Sequence, residues 1–276
     1  MQRLNGLSPV IDRYDALLLD LWGVVHDGSQ LYPGVHATLE KLRGAGKQII
    51  FVSNAPRRAA KAARVLTELG IEQQLYDHVI TSGELGYRWL EQQHDVDLGK
   101  RYYYIGPAKD ADVLNGLDYR RVDDLKDSDF LLNVGFGSEE QSAADWQKLL
   151  RAAKAAGLPM FCLNPDFEVV KITGERYACA GVLAADYERL DGRVKYFGKP
   201  FAEVYEYCMR QLAPVPRERV LAIGDGISTD IAGAVGYGLD AALVTGGIIR
   251  KQADEVEELC EKHNAVPKYI MPTLAW

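Results

Sequence analysis

Short, continuous runs of apolar residues that end in polar ones are the clearest pattern along this chain. Three runs share it: residues 16–19 before Asp20, residues 49–52 before Ser53 and Asn54, and residues 220–223 before Gly224 and Asp225. Such runs are typical of strands buried on both faces of a parallel sheet, and ligands bind at the carboxyl ends of these strands. Each polar residue alone could simply cap a strand or begin a turn. Together they predict a polar cluster at one edge of the sheet.

Helical periodicity follows each early strand. Val35, Leu39 and Leu42 are spaced as on one face of a helix that stops at the glycines near residue 44. A second helix is predicted from about Arg57 to Gly70, and a third after the short strand 79–81. Strands that alternate with helices predict right-handed crossovers. The expected fold class is therefore α/β, with a Rossmann-like parallel sheet.

The alternation loosens in the middle of the chain and resumes near Pro200. Strands at 102–105, 130–134 and 160–163, with a helix at 143–156, indicate a second α/β unit inserted into the first. The expected organisation is a core formed by 1–83 and 196–276, with an inserted unit at 84–195. A helix from about Thr229, a strand at 241–244 and a charged C-terminal helix from about Lys251, with a structural tail behind it, complete the prediction.

Composition narrows the class of protein. The 276 residues are 47% hydrophobic, enough for a large core, and the net charge is −7 without a run of Lys or Arg. Nothing in this charge pattern attracts nucleic acid or an anionic membrane. The four cysteines are widely spaced and include no CxxC pair, which argues against zinc and for free thiols. No signal-peptide core or membrane-length apolar run is found, so a reduced cytoplasmic protein is expected.

Four short motifs together resemble a known family. They are Asp20 with Gly23, Ser53-Asn54, Gly198-Lys199-Pro200, and Gly224-Asp225-Gly226 followed by Asp230. In this order they resemble the motifs of the haloacid dehalogenase (HAD) superfamily. The insertion between the second and third motifs looks like its class IIA cap, and Asn164-Pro165-Asp166 is similar to the cap sequence of NagD-like phosphatases. The resemblance covers nearly the whole chain.

The resemblance implies a magnesium-dependent phosphatase that acts on a small phosphorylated metabolite through an aspartyl-phosphate. Asp20 would be the nucleophile, and Lys199 would hold it and neutralise the transferring phosphoryl group. Ser53 and Asn54 would donate hydrogen bonds to phosphate oxygens. Taken alone, the lysine could equally be a solvated surface residue, and Ser53 or Asn54 could cap the following helix.

The same resemblance implies a Mg²⁺ site. Its ligands would be Asp20, the backbone carbonyl of Trp22 and Asp225, with Asp230 supporting the ion, often through water. Asp230 could alternatively be an acidic residue that only stabilises a helix N-terminus.

The chain departs from the family pattern at Trp22, where the phosphatases carry a second aspartate. That aspartate protonates the leaving group and then activates water. An indole N–H has no exchangeable proton of suitable pKa, so Trp22 cannot act in this way. General acid–base catalysis typically contributes about 10²- to 10⁴-fold in rate.

The sequence leaves several explanations open for how the protein works without the second aspartate. His26 or Asp27, close in sequence, could replace the acid, although His-Asp-Gly is also ordinary turn composition. The substrate could instead be an aryl or acyl phosphate, whose leaving group needs little protonation. Alternatively, turnover is impaired and the protein binds a phosphorylated ligand as a regulatory module.

Two other chemistries known in the superfamily fit the sequence less well. Carbon–halogen cleavage also proceeds without the second aspartate, but Gly224-Asp225-Gly226 with Asp230 resembles the metal-dependent branch. Phosphonate cleavage belongs to a branch whose cap is inserted at a different place.

The inserted unit is expected to close over the sheet edge and select the substrate by shape. Tyr102, Tyr103 and Tyr104 could form an aromatic wall there, or pack into the unit's own core as tyrosines in strands often do. The unit also offers a surface through which two copies could form a homodimer.

Overall fold

The computed structural model describes residues 1–93 and 98–276. Residues 94–97, which belong to the predicted inserted unit, lie outside the described residues. The described chain forms a seven-stranded sheet, a separate five-stranded sheet and a two-stranded hairpin.

The first part of the chain supplies four strands and two helices to the large sheet: β1 (Gln2–Arg3), β2 (Ala16–Leu19), α1 (Val35–Gly44), β3 (Gln48–Ser53), α2 (Ala59–Glu68) and β4 (His78–Thr81). The middle part forms the cap: α3 (Ser82–Glu91), β5 (Arg101–Ile105), β6 (Arg120–Val122), β7 (Phe130–Asn133), α4 (Ala143–Ala155), β8 (Met160–Cys162), β9 (Glu168–Val170), β10 (Arg176–Ala178), α5 (Ala180–Arg189) and β11 (Val194–Tyr196). The last part returns to the large sheet: α6 (Ala202–Leu212), β12 (Val220–Gly224), α7 (Ala232–Tyr237), β13 (Asp240–Val244), α8 (Val256–Lys262) and β14 (Tyr269–Met271).

The large sheet is parallel throughout, with the strand order β1-β14-β13-β12-β2-β3-β4. β2 lies between β12 and β3, so the residues that follow these three strands meet at one edge, as the sequence predicts. The strands are covered on both faces: Leu18 and Ile50 belong to one buried cluster, and Leu17 and Leu19 belong to another. The α/β fold class is confirmed.

The cap sheet is also parallel, in the order β11-β8-β7-β5-β6. β9 and β10 form an antiparallel hairpin beside it. Tyr102 and Tyr104 are buried with Phe130 rather than exposed as a wall, so their role in the core of the cap is the one observed. Where along 84–195 the cap begins and ends stays a prediction.

Three of the differences from the sequence prediction concern the large sheet and the helices beside it. The segment after Pro267 contains β14, which pairs with β13 and so extends the sheet, and β1 pairs with β14. The helix expected from Thr229 begins at Ala232, because residues Ile227–Ile231 form a wider helical turn first. Because of this turn, Asp230 lies at the edge of the sheet.

All four cysteines are buried free thiols, as expected. Within the described residues, no helix combines the length and apolar character that a bilayer crossing requires.

Candidate active site

Lys199 lies at the centre of the polar edge. Its Nζ donates to Asp20 Oδ1 at 2.5 Å, to Asp230 Oδ1 at 2.8 Å and to the carbonyl of Val52 at 2.9 Å, which uses all three ammonium hydrogens. Its side chain is 5% exposed, so it is not a solvated surface lysine. Burial alone would lower the pKa of Lys199, but the carboxylates of Asp20, Asp230 and Asp166 outweigh burial and raise it well above its usual value. The result is a fixed positive charge.

Three carboxylates gather around this lysine. One oxygen each of Asp20, Asp225 and Asp230 lies within 4.8 Å of the others, and all three residues are buried. Burial raises the pKa of Asp20 well above its usual value, and the neighbouring acids raise it further against the opposing effect of Lys199. Burial and the charge of Asp230 raise the pKa of Asp225 to about 8. Ionisation of all three carboxyl groups together is therefore energetically unfavourable unless a further positive charge is present.

This donor set fits a divalent cation. Three carboxylates and one ammonium leave two uncompensated negative charges in a buried site, which a dication would neutralise. Carboxylate oxygens are hard ligands of the kind Mg²⁺ prefers. Asp20, Asp225 and Asp230 would hold the ion, and the carbonyl of Trp22 is the backbone ligand expected from the sequence.

Glycines allow the backbone to pass close to Asp225. Gly23 has φ +87°, and a Cβ there would overlap the Asp225 carboxylate. A Cβ at Gly247 would also overlap this carboxylate, and Ile248 N–H donates to Asp225 Oδ2 at 2.7 Å. The loop after β13 was not predicted to reach the site, although its pair Gly246-Gly247 was a signal that a backbone approaches closely there.

Asn54 connects the second motif to the third. Its Oδ1 accepts from Lys199 N–H at 2.8 Å, and its Nδ2 donates to the Lys199 carbonyl at 3.0 Å and to Asp166 Oδ1 at 2.7 Å. Both amide hydrogens are therefore engaged. Ser53 Oγ accepts from Ala55 N–H at 3.2 Å, so its own hydrogen can be donated. The phosphate-binding roles of Ser53 and Asn54 stay predictions.

Trp22 faces the cap. Its Nε1 donates to the carbonyl of Val170 in β9 at 2.8 Å, and its six-membered ring covers Gly28, where a Cβ would overlap it. Trp22 thus connects the core to the cap hairpin.

His26 and Asp27, the candidate replacements for the acid, are both engaged elsewhere. His26 Nδ1 accepts from Gly28 N–H at 2.9 Å, and burial lowers the pKa of His26 to about 4, which leaves it neutral at pH 7. Asp27 Oδ1 accepts from the N–H groups of Ser29 and Gln30 and from the Ser29 hydroxyl. Burial opposes ionisation of Asp27, but these bonds hold its pKa below the usual value. Neither is poised to donate a proton.

A cleft lies between the sheet edge and the cap. It is lined from the core by Asp20, Ser53, Lys199 and Asp225, and from the cap by Asp166 together with residues of β9. The arrangement places a buried carboxylate next to a fixed cation and an acidic cluster that could hold a metal ion, and these groups are suited to phosphoryl transfer.

Comparisons with known proteins agree with the motifs. A family model described as haloacid dehalogenase-like hydrolase matches residues 17–120, and one described as HAD-hydrolase-like matches residues 196–276. The solved structure of a haloacid dehalogenase-like hydrolase from Brucella suis 1330 is 30% identical, with 98% of this chain and 99% of that one covered and a TM-score of 0.86.

Two relatives extend the match over nearly the full length. Chronophin from Bos taurus is 27% identical over 298 residues, covering 99% of this chain and 96% of that protein. Ribonucleotide monophosphatase NagD from Escherichia coli (strain K12) is 24% identical over 266 residues, covering 94% of this chain and 96% of NagD. The resemblance to NagD-like proteins is confirmed, and the chain belongs to the haloacid dehalogenase-like hydrolase family.

Proposed function

We propose that this protein is a Mg²⁺-dependent phosphatase that hydrolyses a small phosphorylated metabolite through an aspartyl-phosphate on Asp20. The observation that carries the proposal is the buried contact of Asp20 with Lys199 beside the acidic cluster, at the floor of a cleft that the cap covers. Relatives named as phosphatases, among them the monophosphatase NagD, support the same reaction class.

The reaction would proceed in two displacements. An oxygen of Asp20 attacks phosphorus, and the bond from phosphorus to the leaving oxygen breaks. Water then attacks the same phosphorus, the bond to Asp20 breaks, and inorganic phosphate leaves. Lys199 holds Asp20 in place and keeps a positive charge beside the phosphoryl oxygens throughout both steps. Ser53 lines the cleft and would donate its hydroxyl hydrogen to a phosphate oxygen.

Magnesium would screen the repulsion between Asp20 and the phosphate dianion and would favour the ionised state of the cluster. Asp20, Asp225, Asp230 and the Trp22 carbonyl would hold it. The substrate class, the homodimer and the cytoplasmic location stay predictions.

The test is phosphate release from 4-nitrophenyl phosphate and glycerol 3-phosphate, with magnesium or with a chelator. We expect release that needs the metal and that disappears in Asp20→Asn. Saturable binding of magnesium and of a phosphorylated ligand without any release would instead favour the binding or regulatory module. Release that persists in Asp20→Asn would contradict the nucleophile.

A further inference from the structure

The proposed function requires a proton donor for the leaving group, and no residue described so far fills that role. The leaving oxygen of an alkyl phosphate must be protonated as it departs, because an alkoxide is a poor leaving group. Trp22 cannot supply the proton, and its N–H already donates to Val170. The neutral His26 and the fully engaged Asp27 do not supply it either. The proton donor must therefore be a side chain of another segment that lines the cleft.

Asp166 is a carboxyl group that the cap places in this cleft. It lines the same cavity as Asp20 and Lys199, from the opposite domain. The turn Asn164-Pro165-Asp166 is fixed, since Asp166 N–H donates to Asn164 Oδ1 at 3.1 Å. The cap thus contributes a carboxyl group to the lining of the cleft that also contains the nucleophile.

The hydrogen bonds of Asp166 orient one oxygen and leave the other available. Asn54 Nδ2 donates to Oδ1 at 2.7 Å, and Asn54 is itself held by the backbone of Lys199. Within residues 1–93 and 98–276, Oδ2 makes no hydrogen bond. Asn54 is in this way a positioning residue that ties Asp166 to the same lysine that holds the nucleophile.

The surroundings of Asp166 favour a carboxyl that can exist in both protonation states. Burial raises the pKa of Asp166 to about 6, with Asp230 adding to the rise, while Lys199 and the bond from Asn54 oppose it. A general acid works best when its pKa is near the working pH. The charged and titratable groups that face it are Lys199, Asp225, Asp230, Cys162 and Cys179.

We propose that Asp166 of the cap is the general acid and base of this enzyme, in place of the aspartate that Trp22 replaces. In the first step Asp20 bonds to phosphorus and the ester bond breaks, while the Asp166 carboxyl gives its proton to the leaving oxygen, which departs as an alcohol. In the second step the Asp166 carboxylate takes a proton from the attacking water. The bond from phosphorus to Asp20 breaks, which releases inorganic phosphate. Free Asp20 and protonated Asp166 are thereby restored.

The role of Asp166 as general acid and base rests on the proposed function, and it predicts a distinct kinetic effect in variants of Asp166. In Asp166→Asn, kcat/KM for glycerol 3-phosphate should fall by about 10²- to 10⁴-fold. For 4-nitrophenyl phosphate, whose leaving group needs no proton, kcat/KM should fall by less than about tenfold. Hydrolysis of the aspartyl-phosphate also loses its base, so this variant should release a stoichiometric burst of nitrophenol before a slow steady state. Asp166→Glu should restore part of the alkyl activity.

Asp191→Asn is the matched control, because it makes the same change at an exposed cap residue whose φ of 58° asparagine tolerates. It should behave as the wild type with both substrates, and the melting temperatures of all variants should be compared to verify folding. Equal losses with both substrates, or no loss, in folded Asp166→Asn would overturn the role of Asp166 alone. So would a wild type that hydrolyses only the aryl phosphate. A wild type inactive on both substrates would overturn the proposed function, and the role of Asp166 with it.

Discussion

Gly23 lies so close to the Asp225 carboxylate that any side chain would displace the acid. Gly23→Ala should therefore abolish magnesium binding and reduce phosphate release by at least about 100-fold, as expected when a metal ligand is lost or misplaced. Isothermal titration with Mg²⁺ and a phosphate-release assay measure the two effects.

Gly70→Ala is the control for the strain of the backbone alone. Gly70 has φ +88°, close to the +87° of Gly23, but a Cβ there would have no neighbour within 4 Å. This variant should lose about 1–2 kcal/mol of stability and keep its activity. If both variants lost activity alike, the close approach of Gly23 to Asp225 would not be the cause.

The residues of the site differ in how far the sequence could predict them. Asp20 follows an apolar run directly and Asp225 follows one after a single glycine, so their position at a sheet edge could be derived from the pattern alone. The bond between Asn54 and Asp166 spans 112 positions and depends on how the cap lies over the core. No local pattern encodes such a contact. The Val52 carbonyl that accepts from Lys199 was missed for another reason, since backbone groups leave no mark in composition.

The hairpin of β9 and β10 is one of the cap elements that meet the core beside the cleft. Trp22 Nε1 donates to Val170, and Ile172 N–H donates to Asp27 Oδ2 at 3.3 Å. Trp22→Phe keeps an aromatic ring over Gly28 but removes the first of these bonds. Such a bond is worth about 0.5–1.5 kcal/mol, so we expect kcat/KM to fall by roughly 2- to 10-fold with little change in melting temperature.

Trp146→Phe provides the comparison for that experiment. Trp146 also belongs to the cap, in α4, and its buried Nε1 has no hydrogen-bond partner in the part of the chain that the structure describes. The same chemical change should therefore leave kcat/KM unaltered. A similar fall in both variants, measured with the same substrate, would mean that the bond to Val170 does not hold the cap in place.

The central strands were predictable and the peripheral ones were not, for a physical reason. β2, β3 and β12 are buried on both faces and so consist of continuous apolar residues. β1 has two exposed residues, and the strands of the hairpin are half-buried or exposed. Short strands of this kind depend on a partner strand distant in sequence rather than on their own pattern.

On the proposed function, magnesium would stabilise the whole molecule as well as serve as a cofactor, because it would neutralise the buried acidic cluster. Ion binding to the acidic cluster of the folded state alone adds about 2.7 kcal/mol when magnesium is 100 times its Kd. For a chain of this size, that corresponds to a rise in melting temperature of roughly 5 °C or more. Differential scanning calorimetry with magnesium and with a chelator measures the shift.

The variant Asp225→Asn distinguishes a rise in melting temperature caused by magnesium at the acidic cluster from a rise caused by salt in general. Replacing one of three crowded carboxylates by an amide relieves repulsion, so the metal-free variant should melt no lower than the metal-free wild type. It should also lose the magnesium shift. Asp191→Asn, on the exposed surface of the cap, should keep the full shift. A shift that survives in Asp225→Asn would exclude the acidic cluster as the metal site.

The most direct measurement is to locate the phosphoryl group on the protein during turnover. The enzyme is mixed with 4-nitrophenyl phosphate and magnesium, quenched in acid during turnover, digested and analysed by mass spectrometry. We predict one phosphoryl group on the peptide that contains Asp20, absent with chelator and absent in Asp20→Asn. Turnover with the phosphoryl group on another residue, or undiminished turnover in Asp20→Asn, would contradict the account.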